Sequence, residues 1–200
     1  SRTGNTNLLI KKVKNMSGII TGTRNPSPFQ KSHVIGKVPV GHVVQTQGIV
    51  DNASLNDGSP NTMTEIKTGF RVTITPTSTR NKLFMSFATS TNNGGTSGIE
   101  VYEFYDVTGS DTVEPHGESG GNRNEVHWGF RGSHHDSNDC NEINFSLYAT
   151  IARTTETVYT VRRIAADGTG SRAFNYTFSD NAAWGFSGTT TFLVQEIQTY

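Results

Sequence analysis

Two hundred residues with 17 basic and 17 acidic side chains carry no formal net charge, which removes a global electrostatic case for nucleic acid. Hydrophobic residues make up 32% and charged residues 17%, which argues against an ordinary helical enzyme, while 11 Phe, 6 Tyr and 2 Trp can fill a core and argue against disorder. The length suits one domain, and no stretch approaches the ~18 consecutive apolar residues of a membrane span.

Ser1 to Lys37 carries Arg2, Lys11, Lys12, Lys14, Arg24, Lys31 and Lys37 and no Asp or Glu. It lacks sustained periodicity, and its apolar patches, Leu8–Ile10 and Ile19–Ile20, are too short to build a core. Asn25, Pro26, Ser27 and Pro28 read as a turn or extended linker. Residues 1–37 are therefore expected to form an extended basic arm, ordered by lying on something else, such as a neighbouring subunit. The plain alternative is a solvated tail. Leu8–Ile10 is also too short for the apolar region of a signal peptide. The start at Ser1 leaves a processed terminus and a fragment both open.

Residues 38–200 read as strands. Val38 to Val50 is Val-rich, and Asp51 to Asn61 is a polar loop. Phe70, Val72 and Ile74 alternate with polar residues, then Pro76 to Arg80 turn, and Leu83, Met85 and Phe87 alternate again. This pair predicts a hairpin. Further strands follow at Ile99–Val107, Val126–Phe130, Ile143–Ala152 and Thr157–Ile164. Asp167-Gly168 predicts a second hairpin turn leading to Phe174, Tyr176 and Phe178. Thr189 to Ile197 closes the domain, with Phe192, Val194 and Glu196 on one face and Leu193, Gln195 and Ile197 on the other. Apolar residues on both faces fit one face in the core and the other against a neighbouring subunit. The spacing predicts an all-β, jelly-roll-like antiparallel sandwich of about eight strands, with no long helix.

Several clusters could carry chemistry. His127, His134, His135, Asp136, Asp139 and Cys140 are all metal-ligating types, but their spacing matches no strong motif. His134 and His135 are the candidates for a metal on an oligomer axis, with His42 or His127 as equivalents; a polar surface loop is the plainer reading. Cys140 is the single cysteine, so no intrachain disulfide is available. Asp136 and Asp139 beside it would raise its pKa, which argues against a nucleophile. Glu100, Glu103, Asp106, Glu114, Glu118 and Glu125 could supply a hydrolase pair. Acids of this density are expected to be solvated, and Glu100 and Glu103 fall on opposite strand faces. Sugar binding has a clearer recipe of aromatic rings beside polar groups. Trp128 with Asn122, Asn124 and Arg131, and Trp184 with Asp180 and Asn181, match it. The competing reading places both Trp in the core or an interface.

Three segments carry a resemblance: "GKVPVGHVVQTQ" (36–47), "FRVTITPTSTRNKLFMSF" (70–87) and "GTTTFLVQEI" (188–197). Together, over residues 36–200, the chain resembles virion structural domains of tailed bacteriophages, especially marine and cyanobacterial ones. Those chains often close with "SxTφTVMEI", where this one has "LVQE" for "TVME". The resemblance implies a homotrimeric jelly-roll-like domain on a virion, assembled in the host cytoplasm and used as a tail fibre, knob or decoration. It implies no enzyme activity, no catalytic residues and no cofactor. Its partners would be other copies of itself, other virion proteins of the tail, portal vertex or capsid, and a host surface glycan; no membrane insertion and no nucleic acid are expected. The arm, with Arg2, Lys11, Lys12, Lys14 and Arg24, would be the anchor. Two other roles stay open on the same fold: a head decoration or cement protein, and a carbohydrate-binding module or depolymerase.

Overall fold

The computed structural model describes residues 40–53, 55–57, 62–92, 98–118, 126–132, 141–165, 172–175 and 188–200. By backbone proximity the chain divides into a unit of residues 1–40 and a unit of residues 41–200. The arm, residues 1–37, lies outside the described residues, and every described strand belongs to the second unit.

The strands, in chain order, are β1 (Val43–Asp51), β2 (Leu55–Asp57), β3 (Thr64–Glu65), β4 (Arg71–Ile74), β5 (Lys82–Asn92), β6 (Gly98–Asp106), β7 (Asp111–Thr112), β8 (Trp128–Gly132), β9 (Asn141–Thr150), β10 (Thr157–Ala165), β11 (Arg172–Phe174) and β12 (Thr190–Ile197). Every described pairing is antiparallel.

These twelve pieces occupy eight lanes, because short strands follow one another along a shared neighbour. β12 pairs β5 over residues 82–88 and β11 pairs it at 91–92, while β9 runs along its other side. β1 and β2 pair β12 and β11 in the same way. In the second sheet, β3 and β4 both pair β10, and β7 and β8 both pair β6. Numbering the lanes along the chain, the first sheet runs 1-8-3-6 and the second 2-7-4-5. That order is the two Greek keys of a jelly roll. The strand number legible in the sequence is thus the number of lanes; β2, β3 and β7 are two- or three-residue pieces that carry no periodicity.

The core forms where the alternating faces meet. β12 shows strict alternation of buried and half-buried residues, and β5 alternates likewise along most of its length. Leu83, Met85, Phe87, Phe192 and Val194 come from the first sheet, and Val72, Ile74, Tyr102, Phe104 and Val161 from the second; all are buried. Phe104 joins the layers. Its ring centroid lies 4.7 Å from Phe145 and 5.6 Å from Phe192, stacked on the latter at 16°. Each such fully buried ring contributes about 1.5–3 kcal/mol from area alone.

Two hairpin expectations are corrected. β4 pairs β10 in the second sheet, whereas β5 lies between β12 and β9 in the first, so Thr75–Asn81 crosses between sheets. β10 and β11 likewise belong to different sheets and form no hairpin; Asp167-Gly168 itself lies outside the described residues. Alternation reports that each strand has one buried face. It does not report which sheet supplies the partner.

Candidate functional site

The crossover from β4 to β5 is built around Glu196, which is fully buried on β12. Its carboxylate accepts hydrogen bonds from Thr77 N (2.9 Å), Thr77 Oγ1 (2.7 Å), Asn81 Nδ2 (2.6 Å) and Gln45 Nε2 (2.7 Å). Gln45 Nε2 also donates to the Thr75 carbonyl at 2.7 Å. Burial pushes the Glu196 pKa up, but the bonds from Gln45, Asn81 and Thr77 outweigh it and hold the carboxyl below its ordinary range. This charge is engaged by the fold and is no reagent.

The acids on β6 correct the expectation of solvated carboxylates. Glu100, Glu103 and Asp106 are all buried. Glu103 accepts from Thr112 Oγ1 (2.9 Å) and Arg162 Nε (2.5 Å), and the Arg162 guanidinium lies 3.4 Å over the Tyr105 ring. Asp106 accepts from Arg153 at 2.5 Å and from Gly109 N at 2.7 Å. Glu100 accepts from the Tyr102 hydroxyl. Glu103 and Asp106 thus each meet an arginine, the usual condition for burying a charge.

His127 is not the free ligand that an axial metal would need. Its Nδ1 accepts from Phe104 N at 3.0 Å and its Nε2 lies 2.8 Å from the Val113 carbonyl. These partners fix the neutral Nε2–H tautomer. Burial is the largest influence and lowers its pKa, against opposing contributions from the Val113 bond and nearby carboxylates. His134 and His135 lie outside the described residues, as do Cys140, Asn122 and Trp184. Among the described residues no group of three or more His, Cys, Asp or Glu could hold a metal ion.

Trp128 is half-buried and packs against the core. Its ring stacks on Phe145 at 6.2 Å and 9° and sits 5.8 Å from Tyr102. The ring is therefore engaged from inside the sandwich. Arg131, three residues along β8, pairs through its backbone with Ile99.

A crevice with about 230 Å³ of empty space lies among Asp51, Ile66, Lys67, Phe174, Asn175 and Thr190. Its polar groups are bound to one another. Lys67 pairs with Asp51, and the Asn175 amide donates to the carbonyls of Asp51 (3.0 Å) and Ala53 (3.2 Å) and accepts from Thr190 (2.8 Å). Asn175 holds φ at 65°, a left-handed conformation that asparagine tolerates. That space includes open solvent at the mouth, and the enclosed part has room for about one water.

The outer faces of the two sheets differ in kind. The second is charged and self-neutralising, with Arg71–Glu65 at 2.5 Å and Arg162–Glu103 side by side. On the first, adjacent strands bring Thr46, Gln195, Phe84 and Tyr148 into one row, and Gly48, Leu193, Ser86 and Ser146 into the next. Neither row holds a charge. Tyr148 is 51% exposed, and Phe84, Leu193 and Gln195 are half-buried. A Cβ on Gly48 would lie 3.1 Å from Leu193 Cδ1, so glycine lets that side chain lie along the sheet. Sequence reasoning noted the apolar outer side of β12 but missed Phe84 and Tyr148. Their pairing depends on β5 meeting β9, about sixty residues apart in the sequence, and no local signal encodes it.

No protein-family model and no curated protein matches the sequence. Among solved structures, the CBM22-1 xylan-binding domain from Paenibacillus barcinonensis Xyn10C is similar at 7% identity and a TM-score of 0.31, over 80% of this chain and 98% of that one.

Proposed function

We propose that this chain is a non-catalytic structural subunit of a bacteriophage virion, a homotrimeric surface appendage of the tail-fibre or knob kind that contacts host glycans. The observation that supports it is the junction at Glu196. The two most specific segments of the phage resemblance are the "ITPTST" crossover and the "LVQEI" ending. They are more than a hundred residues apart, yet Thr77 and Asn81 of the first region bind the Glu196 carboxylate of the second. The motifs thus form one hydrogen-bonded unit, which gives a physical reason for them to occur together. Three weak glycan sites on one trimer would act together through multivalency. The test is sedimentation equilibrium of the full chain together with peptide mass spectrometry of purified particles. The reading requires a trimer and the presence of the chain in particles; a monomer absent from particles overturns it.

A second reading, a carbohydrate-binding module outside any virion, is favoured by the two uncharged central rows on the outer face of the first sheet, with Tyr148 exposed. Binding of glycan by a chain that is absent from particles would select it.

A further inference from the structure

We infer that the outer face of the first sheet is a binding platform for an uncharged polysaccharide, with Tyr148 as its stacking ring. The inference deepens the glycan-contacting part of the proposed function by naming the site and the class of ligand.

Three observations carry it. The first is the ring. Tyr148 is the exposed aromatic of β9 and stands directly opposite Phe84 of β5 in the register. Opposed residues in such a pair have Cβ atoms about 4.5–5.5 Å apart, so the two side chains can present one apolar surface. The C–H face of a sugar ring packs on such a surface without any need for charge. The second is the surrounding chemistry. Across and beside this pair lie Gln195, Thr46, Ser86 and Ser146, all neutral amides or hydroxyls. Gln195 Nε2 donates to Thr46 Oγ1 at 3.2 Å, which orients the amide across the row. The row from Thr46 to Tyr148 crosses three strand intervals, about 14 Å at the usual ~4.8 Å spacing, and so runs as a strip rather than a point.

The third observation is electrostatic. The two central rows hold no acidic or basic residue, and the nearest cation on this face, Lys82, donates to Thr150 Oγ1 at 3.0 Å. A polyanion would find a single cation beside these rows, Lys82, and the exposed acid Glu142 farther along β9, so most charges of an anionic glycan or a nucleic acid would stay without partners. A second copy of the chain is the rival occupant. The fully buried core of a homodimer interface is predominantly apolar. Here hydroxyls and amides alternate with the apolar residues, which suits a ligand made of hydroxyls better than a protein face.

The test is affinity electrophoresis of the full-length chain in gels containing dextran, galactomannan, mixed-linkage β-glucan or hydroxyethylcellulose, with alginate as the anionic control. Wild type and Tyr148→Ala, Tyr148→Trp and Ser146→Arg variants are compared, with thermal melts to show that each is folded. The inference expects retardation by at least one uncharged polysaccharide. Tyr148→Ala weakens binding about tenfold or more, a difference near 1.4 kcal/mol. Tyr148→Trp retains it, and Ser146→Arg reduces it. Binding that survives Tyr148→Ala unchanged overturns the site while leaving the appendage reading intact. No retardation by any uncharged polysaccharide, or retardation by alginate alone, overturns the ligand class. Loss of an oligomer in Tyr148→Ala by sedimentation assigns the face to a second copy and also overturns the inference. Presence in particles is measured separately, so the two readings fail independently.

Discussion

The buried carboxylate of Glu196 holds both hydrogen-bonding groups of Thr77, its amide at 2.9 Å and its hydroxyl at 2.7 Å. Thr77 lies where the chain leaves the second sheet, and Glu196 lies near the end of the last strand of the first. One side chain thus ties the crossover to β12 and, through Gln45, to β1. A buried ion is costly unless its lone pairs are filled, and here four donors fill them.

Removing that acceptor takes the short bond from the buried Asn81 amide and both bonds from Thr77, while Gln45 keeps the Thr75 carbonyl. Glu196→Ala is expected to cost about 2–3 kcal/mol, given that a buried group left unsatisfied costs roughly 1–3 kcal/mol and exposed ones less. Glu196→Gln keeps the shape and one acceptor oxygen and is expected to cost about 1–2 kcal/mol. Urea unfolding midpoints of the three proteins measure this. Equal midpoints for wild type and Glu196→Ala would show that the crossover does not depend on the carboxylate.

The same group sets an acid limit. Its folded pKa lies below the ordinary value of 4.5, so the unfolded chain takes up the proton first. The stability it contributes is full above about pH 4.5 and is lost as the pH falls through the folded pKa. Between pH 5 and 3, roughly the span over which a glutamate titrates, the wild type is expected to lose stability faster than Glu196→Gln. Parallel curves would contradict this.

His127 acts in a higher window. Burial lowers its folded pKa below the ordinary value of 6.5, and its two backbone partners match the neutral ring. Protons again bind the unfolded chain first, so stability is full above pH 6.5 and falls below it. His127→Gln is expected to be less stable at neutral pH and to lose this part of the slope. Urea midpoints taken in steps from pH 7.5 to 5.5, about one unit either side of the ordinary histidine value, check it.

Trp128, on the second sheet, is packed against the core and lies apart from the proposed binding rows on the first. Trp128→Ala removes the ring that stacks on Phe145 and should cost about 2–4 kcal/mol, somewhat less than the roughly 3–5 kcal/mol of large aromatic truncations in cores, because the residue is half-buried. At temperatures where the variant is folded, glycan binding should persist. Loss of binding with stability unchanged would place a sugar on Trp128 instead.

Fold class was legible because β4, β5, β6, β9, β10 and β12 each carry a two-residue period that survives into the structure as one buried face. Sheet membership was not legible, because Ile74 and Leu83 look alike in a hairpin or in two different sheets. Glu196 reads from sequence as a polar end to an apolar face, and only the arrival of Thr77 and Asn81 explains a charge there. Glu103 and Asp106 look solvated until Arg162 and Arg153 are placed beside them. Trp128 looks like a sugar platform because a free ring and a core ring have the same sequence signature. Tyr148 drew no notice for the converse reason, since a half-exposed Tyr on an alternating strand is ordinary until Phe84 stands opposite.

The most direct test of the proposed virion role is cryo-electron microscopy of intact phage particles assembled in the presence of this chain. The account predicts threefold density fitted by the eight-lane sandwich at a tail or vertex appendage, with the outer face of the first sheet open to solvent. Particles without such density would contradict membership in the virion. Hundreds of copies spread over the head would contradict the appendage role and make it a decoration protein.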